Sequence, residues 1–327
     1  MDEILKISNL NKKYTNNVVL KNINLSVCKG DIYGILGVSG AGKSTLLRCI
    51  NNLEAFDSGT IYFEGKEVTF DKKYKKNIAM IFQSYNLLSQ INVLDNVMLV
   101  GKINKQDNIK ERAINLLTEV GLADKLYEYP KNLSGGQCQR VAIARSLMLN
   151  PKILLIDEAT SALDATTSKA ILNLLKELNV KKNLTIIMIS HQMDIIESIC
   201  NKVAIIDNAC IVEDGNIKDI FLTPKAKITK RLIYSKNINV DVNDNKLIKI
   251  IFNEEVNTPL LAKIINDLNI SLSILYASSK TFNSKTYGQV IFKLQSYKSD
   301  IDKLTLYLNK NNISYEEVLA NELCWDI

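Results

Sequence analysis

An α/β chain carrying a smaller second domain is the fold that this sequence predicts, from three patterns. Short apolar strands alternate with amphipathic helices from residue 150 to residue 207, a glycine-rich turn joins an apolar strand to a helix near residue 40, and the segment from residue 247 onward runs strand, helix, strand, strand, helix, strand. Alternating β and α units predict a parallel sheet with helices on its faces, because each crossover returns the chain to the same end of the sheet. The last run has the ferredoxin-like order. With 327 residues, 46% of them apolar and 23% charged, the chain is long enough for two buried cores. We place the domains at residues 1–232 and 247–327, joined by a polar linker at 233–246.

Taken in order, the first 70 residues are strand-rich. INLSV at 23–27 alternates apolar and polar residues, and TIYFEGKEVTF places Glu64 and Gly65 at a turn between two extended pieces. Helical patterns follow to about residue 150, as where Ala113, Leu116, Leu117 and Val120 share one face. KILLID, a helix through Leu178, LTIIMIS, a helix carrying Ile195, Ile196 and Ile199, and KVAIID then alternate. In the tail, Thr258 and Pro259 read as the N-cap and first turn of its first helix.

Bulk properties narrow the function. No apolar run reaches the ~18 residues of a membrane span, and MDEILKISNL lacks a signal-peptide pattern, so we expect a protein on the cytoplasmic side. Six cysteines form no C-x-x-C pair, which fits free thiols and neither disulfide nor zinc. The formal charge of +6 is modest; DKKYKKN at 71–77 reads as a solvated loop, and without a basic stripe interleaved with aromatics no nucleic-acid partner is expected.

GVSGAGKS at 37–44 matches G-x-x-x-x-G-K-[ST], with DIYGIL as a strand before it and TLLRCINNL as a helix after it. Glycines let consecutive backbone N–H groups turn inward around phosphate oxygens, and the helix N-terminus adds about half a positive charge. Lys43 would reach the β- and γ-phosphates, and the Ser44 hydroxyl would ligate Mg²⁺. Asp157 and Glu158 end the apolar strand at 153–156, where one carboxylate suits Mg²⁺ and its neighbour suits taking a proton from water. LSGGQ at 133–137 opens a second helix with bare backbone donors. The only histidine, His191, follows the buried strand at 184–189, on the edge where open α/β sheets bind ligands. Position alone leaves a structural and a catalytic reading of it open.

Together these strings resemble the ATP-binding cassette (ABC) ATPases, over roughly residues 1–230. The resemblance implies a P-loop fold with a mixed sheet core, an antiparallel β subdomain and a helical subdomain. It implies ATP and Mg²⁺, with Tyr14 stacking on adenine and Gly37, Val38, Ser39, Gly40, Ala41, Gly42, Lys43, Ser44 and Thr45 around the phosphates. Ser44, Gln83 and Asp157 would hold Mg²⁺. Glu158 would be the general base, and Lys43, Gln83 and His191 would serve the same reaction. Leu133, Ser134, Gly135, Gly136 and Gln137 would bind the ATP of a second copy in a head-to-tail homodimer, with Asp164 crossing between copies. Integral membrane permease subunits and an extracytoplasmic substrate-binding protein would complete an importer, with this chain on the cytoplasmic face of the membrane. The segment QSYNLLSQINVLDNV would line the docking groove through Leu87, Leu88 and Val93.

A cassette with EATSALD, RCINNLE and a ferredoxin-like tail resembles the ATP-binding subunit of methionine importers. Their tails are named for an Asn-Ile-Leu stretch and bind methionine as a feedback inhibitor. Here that stretch is Ser273-Ile274-Leu275, so Ser273 replaces an amide that offers both a donor and an acceptor. The alternative is an importer of another amino acid or small peptide, with a tail that only dimerises.

Overall fold

The computed structural model describes residues 2–158, 163–234, 247–253, 260–282, 285–294 and 298–319. Thr258, Pro259, residues 159–162 of EATSALD and most of the linker lie outside them. The chain divides into two compact units, residues 1–217 and 218–327.

The first unit opens with two long strands, β1 (Glu3–Tyr14) and β2 (Asn17–Cys28), which pair antiparallel. A short central strand, β3 (Ile32–Leu36), leads through the glycine-rich turn into α1 (Lys43–Ile50). Next come β4 (Ser58–Phe63) and β5 (Lys66–Glu67), which complete a four-stranded antiparallel sheet in the order β2-β1-β4-β5. The alternating inward residues Leu5, Ile7, Ile23, Leu25 and Val27 are buried with Leu46, Leu47 and Ile50 of α1, so the helix seals this sheet onto the core.

The basic run forms a helix, α2 (Lys72–Asn77), where a loop was expected. Asp71 caps it by accepting from the Tyr74 N–H at 2.8 Å. Tyr74 is buried edge-on against Phe63 and Phe70, and its hydroxyl donates to the Ile50 carbonyl. The lysines face solvent as expected; one buried aromatic orders the segment that carries them.

Strand β6 (Ile78–Ile81) follows, then the helices α3 (Val93–Ile103), α4 (Ile109–Glu119) and α5 (Gly135–Ser146), which pack on one another as a helical subdomain. The α/β alternation then supplies β7 (Ile153–Asp157), α6 (Ala165–Lys182), β8 (Thr185–Ser190), α7 (Met193–Ile199), β9 (Lys202–Asp207) and β10 (Cys210–Asn216). These build a six-stranded sheet in the order β10-β9-β3-β8-β7-β6, with β10 antiparallel at one edge and the rest parallel. Every residue of β3, β7 and β8 is buried, as expected of strands covered on both faces. The parallel register puts Leu36 beside Ser190, Asp157 beside Ile189 and Ile81 beside Ile156. Four carboxyl ends therefore meet on one edge.

The chain continues through α8 (Ile217–Leu222) and α9 (Lys227–Tyr234). Beyond the linker lie β11 (Leu247–Asn253), α10 (Leu260–Leu268), β12 (Leu272–Phe282), β13 (Lys285–Leu294), α11 (Lys298–Lys310) and β14 (Ser314–Val318). Their sheet is antiparallel in the order β12-β13-β11-β14, the ferredoxin-like arrangement expected from element order. Ile248, Ile250, Val290 and Phe292 meet Ile264, Leu304 and Leu308 in a core of its own. On the buried Lys249 and Gln289, the amine donates to the Leu222 carbonyl at 2.5 Å and the amide nitrogen to the Phe221 carbonyl at 2.9 Å.

Candidate active site

The turn after β3 is shaped by its glycines, and Gly42 shows why. Its φ of +98° lies in the left-handed region, and a Cβ there would stand 2.4 Å from the Val19 carbonyl oxygen. Only glycine fits. Lys43 follows as the first residue of α1, 6% exposed, and its amine donates to the Gly37 carbonyl at 2.9 Å and the Val38 carbonyl at 2.8 Å. Burial pushes its pKa down, while Glu158 and Asp157 nearby pull it back up.

Ser44 donates its hydroxyl to Asp157 Oδ1 at 3.0 Å, although 113 residues separate them. Burial pushes the Asp157 carboxyl above the usual range, against the Ser44 hydrogen bond and the charge of Arg48. A buried carboxylate beside a hydroxyl is a hard-oxygen pair that suits Mg²⁺, which keeps waters and takes phosphate oxygens for its remaining positions. Among the described residues no group of three or more His, Cys, Asp or Glu side chains gathers to hold a metal by itself.

Glu158, one residue beyond β7, has a φ of +49°, uncommon for a residue with a side chain. Its two carboxylate oxygens meet different partners: His191 Nδ1 stands 3.1 Å from Oε1, and Gln83 Nε2 donates to Oε2 at 3.4 Å. These side chains come from the ends of β7, β8 and β6. Lys43, Ser44, Gln83, Asp157, Glu158 and His191, all singled out from the sequence, thus gather at one sheet edge.

Beside the turn is a cavity of about 780 Å³, walled by Lys12, Lys13, Val18, Val38, Ser39, Gly40, Ala41 and Asp57 among others. Tyr14 ends β1 next to this wall, 41% exposed, with the Lys12 amine 4.8 Å from its ring centre. Thr45 is half-buried in the first turn of α1.

The residues of LSGGQ sit at a different junction, the start of α5. Ser134 is the N-cap, and Gln137 closes a capping box: the Gln137 N–H donates to Ser134 Oγ at 3.3 Å and the Ser134 N–H to Gln137 Oε1 at 2.9 Å. The S-x-x-Q spacing carried that information in the sequence. Leu133 is half-buried ahead of the cap, and Gly135 is exposed. Gly136 is buried so closely against α6 that an added Cβ would stand 2.3 Å from Thr167 Cγ2. Asp164 caps α6 by accepting from the Thr167 N–H at 2.9 Å, and hydrogen bonds from the Thr167 side chain and then its backbone hold the carboxyl below the usual range.

The ABC transporter family pattern matches residues 20–161, and the NIL domain pattern matches residues 246–317. The methionine import ATP-binding protein MetN of Clostridium acetobutylicum is 39% identical over 321 residues, covering 96% of this chain and 99% of that one. The chain belongs to the ABC transporter family of methionine import ATP-binding proteins. The MetN of Clostridioides difficile is 40% identical over 324 residues, covering 97% and 99% of the two chains. Among solved structures, cbiO1 from Clostridium perfringens, part of the ABC transporter complex cbiONQ, is 32% identical with a TM-score of 0.64, over 71% of this chain and 96% of that one. A dimeric ATP-binding cassette in a post-hydrolysis state, bound to ADP and Pi, is 31% identical with a TM-score of 0.59, over 65% and 99%. As an ABC ATPase of the importer class, this chain binds ATP and couples its hydrolysis to transport. Among its described residues no helix is long and apolar enough to cross a membrane.

Proposed function

We propose that this protein powers methionine import from the cytoplasmic face of the cell membrane, as two head-to-tail copies docked on permease subunits and fed by an extracytoplasmic substrate-binding protein. The carrying observation is Glu158, whose carboxylate is shared between His191 and Gln83 beside the Ser44–Asp157 pair. In this reading residues 1–232 are the ATPase and residues 247–327 the regulatory tail.

ATP lies with its base against Tyr14 and its phosphates in the turn from Gly37 to Thr45. Lys43 then exchanges the Gly37 and Val38 carbonyls for β- and γ-phosphate oxygens, so its positive charge is already in place when they arrive. Ser44, Asp157 and Gln83 would hold Mg²⁺, which supplies charge neutralisation on the phosphates. Glu158 accepts the proton of the attacking water, turned toward it by the Gln83 amide. Held at Nδ1 by Glu158, the His191 imidazole keeps its orientation, which leaves its other nitrogen for the charge that grows on the γ-phosphate. Gly135 and Gly136 at the α5 N-terminus complete the site of the other copy with backbone donors and Ser134 with its exposed hydroxyl, its own N–H being held by Gln137, and Asp164 stands at the crossing between copies. Leu88, 44% exposed, supports the docking surface on the permease.

For the tail, Ser273 lies on β12, an edge strand, opposite Lys293, and a register shift follows between Ile274 and Tyr276. Ile274 is 53% exposed. An open edge with an exposed apolar residue supports a surface where methionine or a second tail binds. The test is uptake of labelled methionine by vesicles holding the permease and this chain. ATP-dependent uptake that Glu158→Gln abolishes is the expected result; uptake of another amino acid in its place would reassign the cargo.

A further inference from the structure

Gln83 belongs to a loop that the signature helix grips. Arg145, half-buried in the last turn of α5, donates through one guanidinium nitrogen to the Tyr85 carbonyl at 2.6 Å and through the other to the Asn86 carbonyl at 2.5 Å. Tyr85 and Asn86 have φ values of 59° and 51°, two consecutive left-handed residues with side chains. Such a turn is strained, and a neighbour must hold it. A planar fork that satisfies two adjacent carbonyls does so in one geometry; a lysine amine has no such fixed spacing.

The grip has a second point at the other end of the helix. A Cβ on Gly135 would lie 3.5 Å from the Tyr85 hydroxyl, so the tyrosine ring reaches the first turn of α5 while its carbonyl is bound from the last. Further along the same loop, the fully buried Asn96 of α3 accepts from the Leu88 N–H at 2.8 Å and donates to the carbonyls of Leu88, Ile91 and Asn92. Residues 84–92 are thus fastened at one end to α5 and at the other to α3.

We propose that Arg145 is a positioning residue that locks the Gln83-bearing loop to the signature helix, so that Gln83 and the signature of one chain move as a single piece. Any shift of the signature toward the second copy's ATP then also moves Gln83 relative to Glu158, to which its amide already donates at 3.4 Å in the single copy. This rests on the head-to-tail reading above.

The full-length protein, Arg145→Lys and Arg145→Gln are compared by ATP titration calorimetry without added Mg²⁺, and by kcat against protein concentration with Mg²⁺. The expected result is a Kd for ATP within twofold of wild type in both variants and a kcat at least tenfold lower in both, lysine giving no rescue. A kcat for Arg145→Lys within twofold of wild type, or a Kd that rises in step with the fall in kcat, overturns the proposal. Hydrogen exchange on the unaltered protein tests it without relying on a variant's fold. With a non-hydrolysable ATP analogue, peptides covering residues 84–92 and 133–146 gain protection at the same analogue concentration; midpoints more than threefold apart overturn it. A wild-type protein that hydrolyses ATP while light scattering in the assay buffer shows only monomer marks a failure of the head-to-tail reading beneath it, and the proposal falls with that reading.

Discussion

His191 Nδ1 stands 3.1 Å from one carboxylate oxygen of Glu158, although the two side chains come from different strands. The register of β7 with β8 makes the pair, since Asp157 lies opposite Ile189 and the two residues leave adjacent strand ends together. Residues that act as a unit lose activity non-additively. On the proposed assignment, Glu158→Gln lowers kcat by about 10² to 10⁴ with ATP affinity kept, and His191→Ala lowers it by on the order of 10². The double variant is expected to be no slower than Glu158→Gln alone, measured by single-turnover phosphate release. Multiplicative losses would show the two side chains working separately.

Asp157 sets a pH dependence. Its folded pKa is raised above 3.8 by burial, so the folded chain binds this proton more readily than the unfolded one. The resulting destabilisation is absent below about pH 3.8, develops as pH rises through the raised value, and is complete at neutral pH. Asp157→Asn keeps an acceptor for Ser44 and removes the buried charge. Without Mg²⁺ or nucleotide it is expected to unfold at a higher temperature than wild type at pH 7, and at nearly the same temperature in acid. A lower midpoint at pH 7 would mean that the charge is offset within the chain.

Gly136 is fixed by contact with α6. Gly136→Ala forces a Cβ into Thr167 Cγ2, and overpacking of this kind costs about 1–3 kcal/mol. Adding Thr167→Ser deletes that methyl while leaving the backbone N–H that Asp164 accepts, so the double variant is expected to recover most of the loss. Urea unfolding of the three forms measures it. Unchanged stability in Gly136→Ala would remove the contact from the account.

Feedback through the tail depends on Ser273. A serine hydroxyl donates and accepts but is shorter than an asparagine amide, so a water must bridge to the same ligand atoms. Methionine is therefore expected to inhibit ATP hydrolysis of the assembled transporter weakly, and Ser273→Asn to bring inhibition to lower concentration. Flat curves for both would leave the tail as a dimerisation module.

By itself the sequence determined what depends on near neighbours in the chain. A strand, a glycine turn and a lysine-started helix at 32–50 are local features, and so are the fully apolar β7 and β8 and the tail's element order. DKKYKKN was misread because its deciding contact, Tyr74 to the Ile50 carbonyl, spans 24 residues and leaves no periodicity in so short a run. That Gln83, Glu158 and His191 belong to one reaction was legible only through resemblance. Their meeting depends on strand order, with β8 and β7 inserted between β3 and β6, which no local pattern encodes. Arg145 was not legible at all. It reads as an ordinary basic residue in the last turn of a helix, where the dipole favours one, and only tertiary structure brings it to two carbonyls about sixty residues away. Backbone acceptors carry no side-chain identity, so such a contact leaves no complementary residue to find.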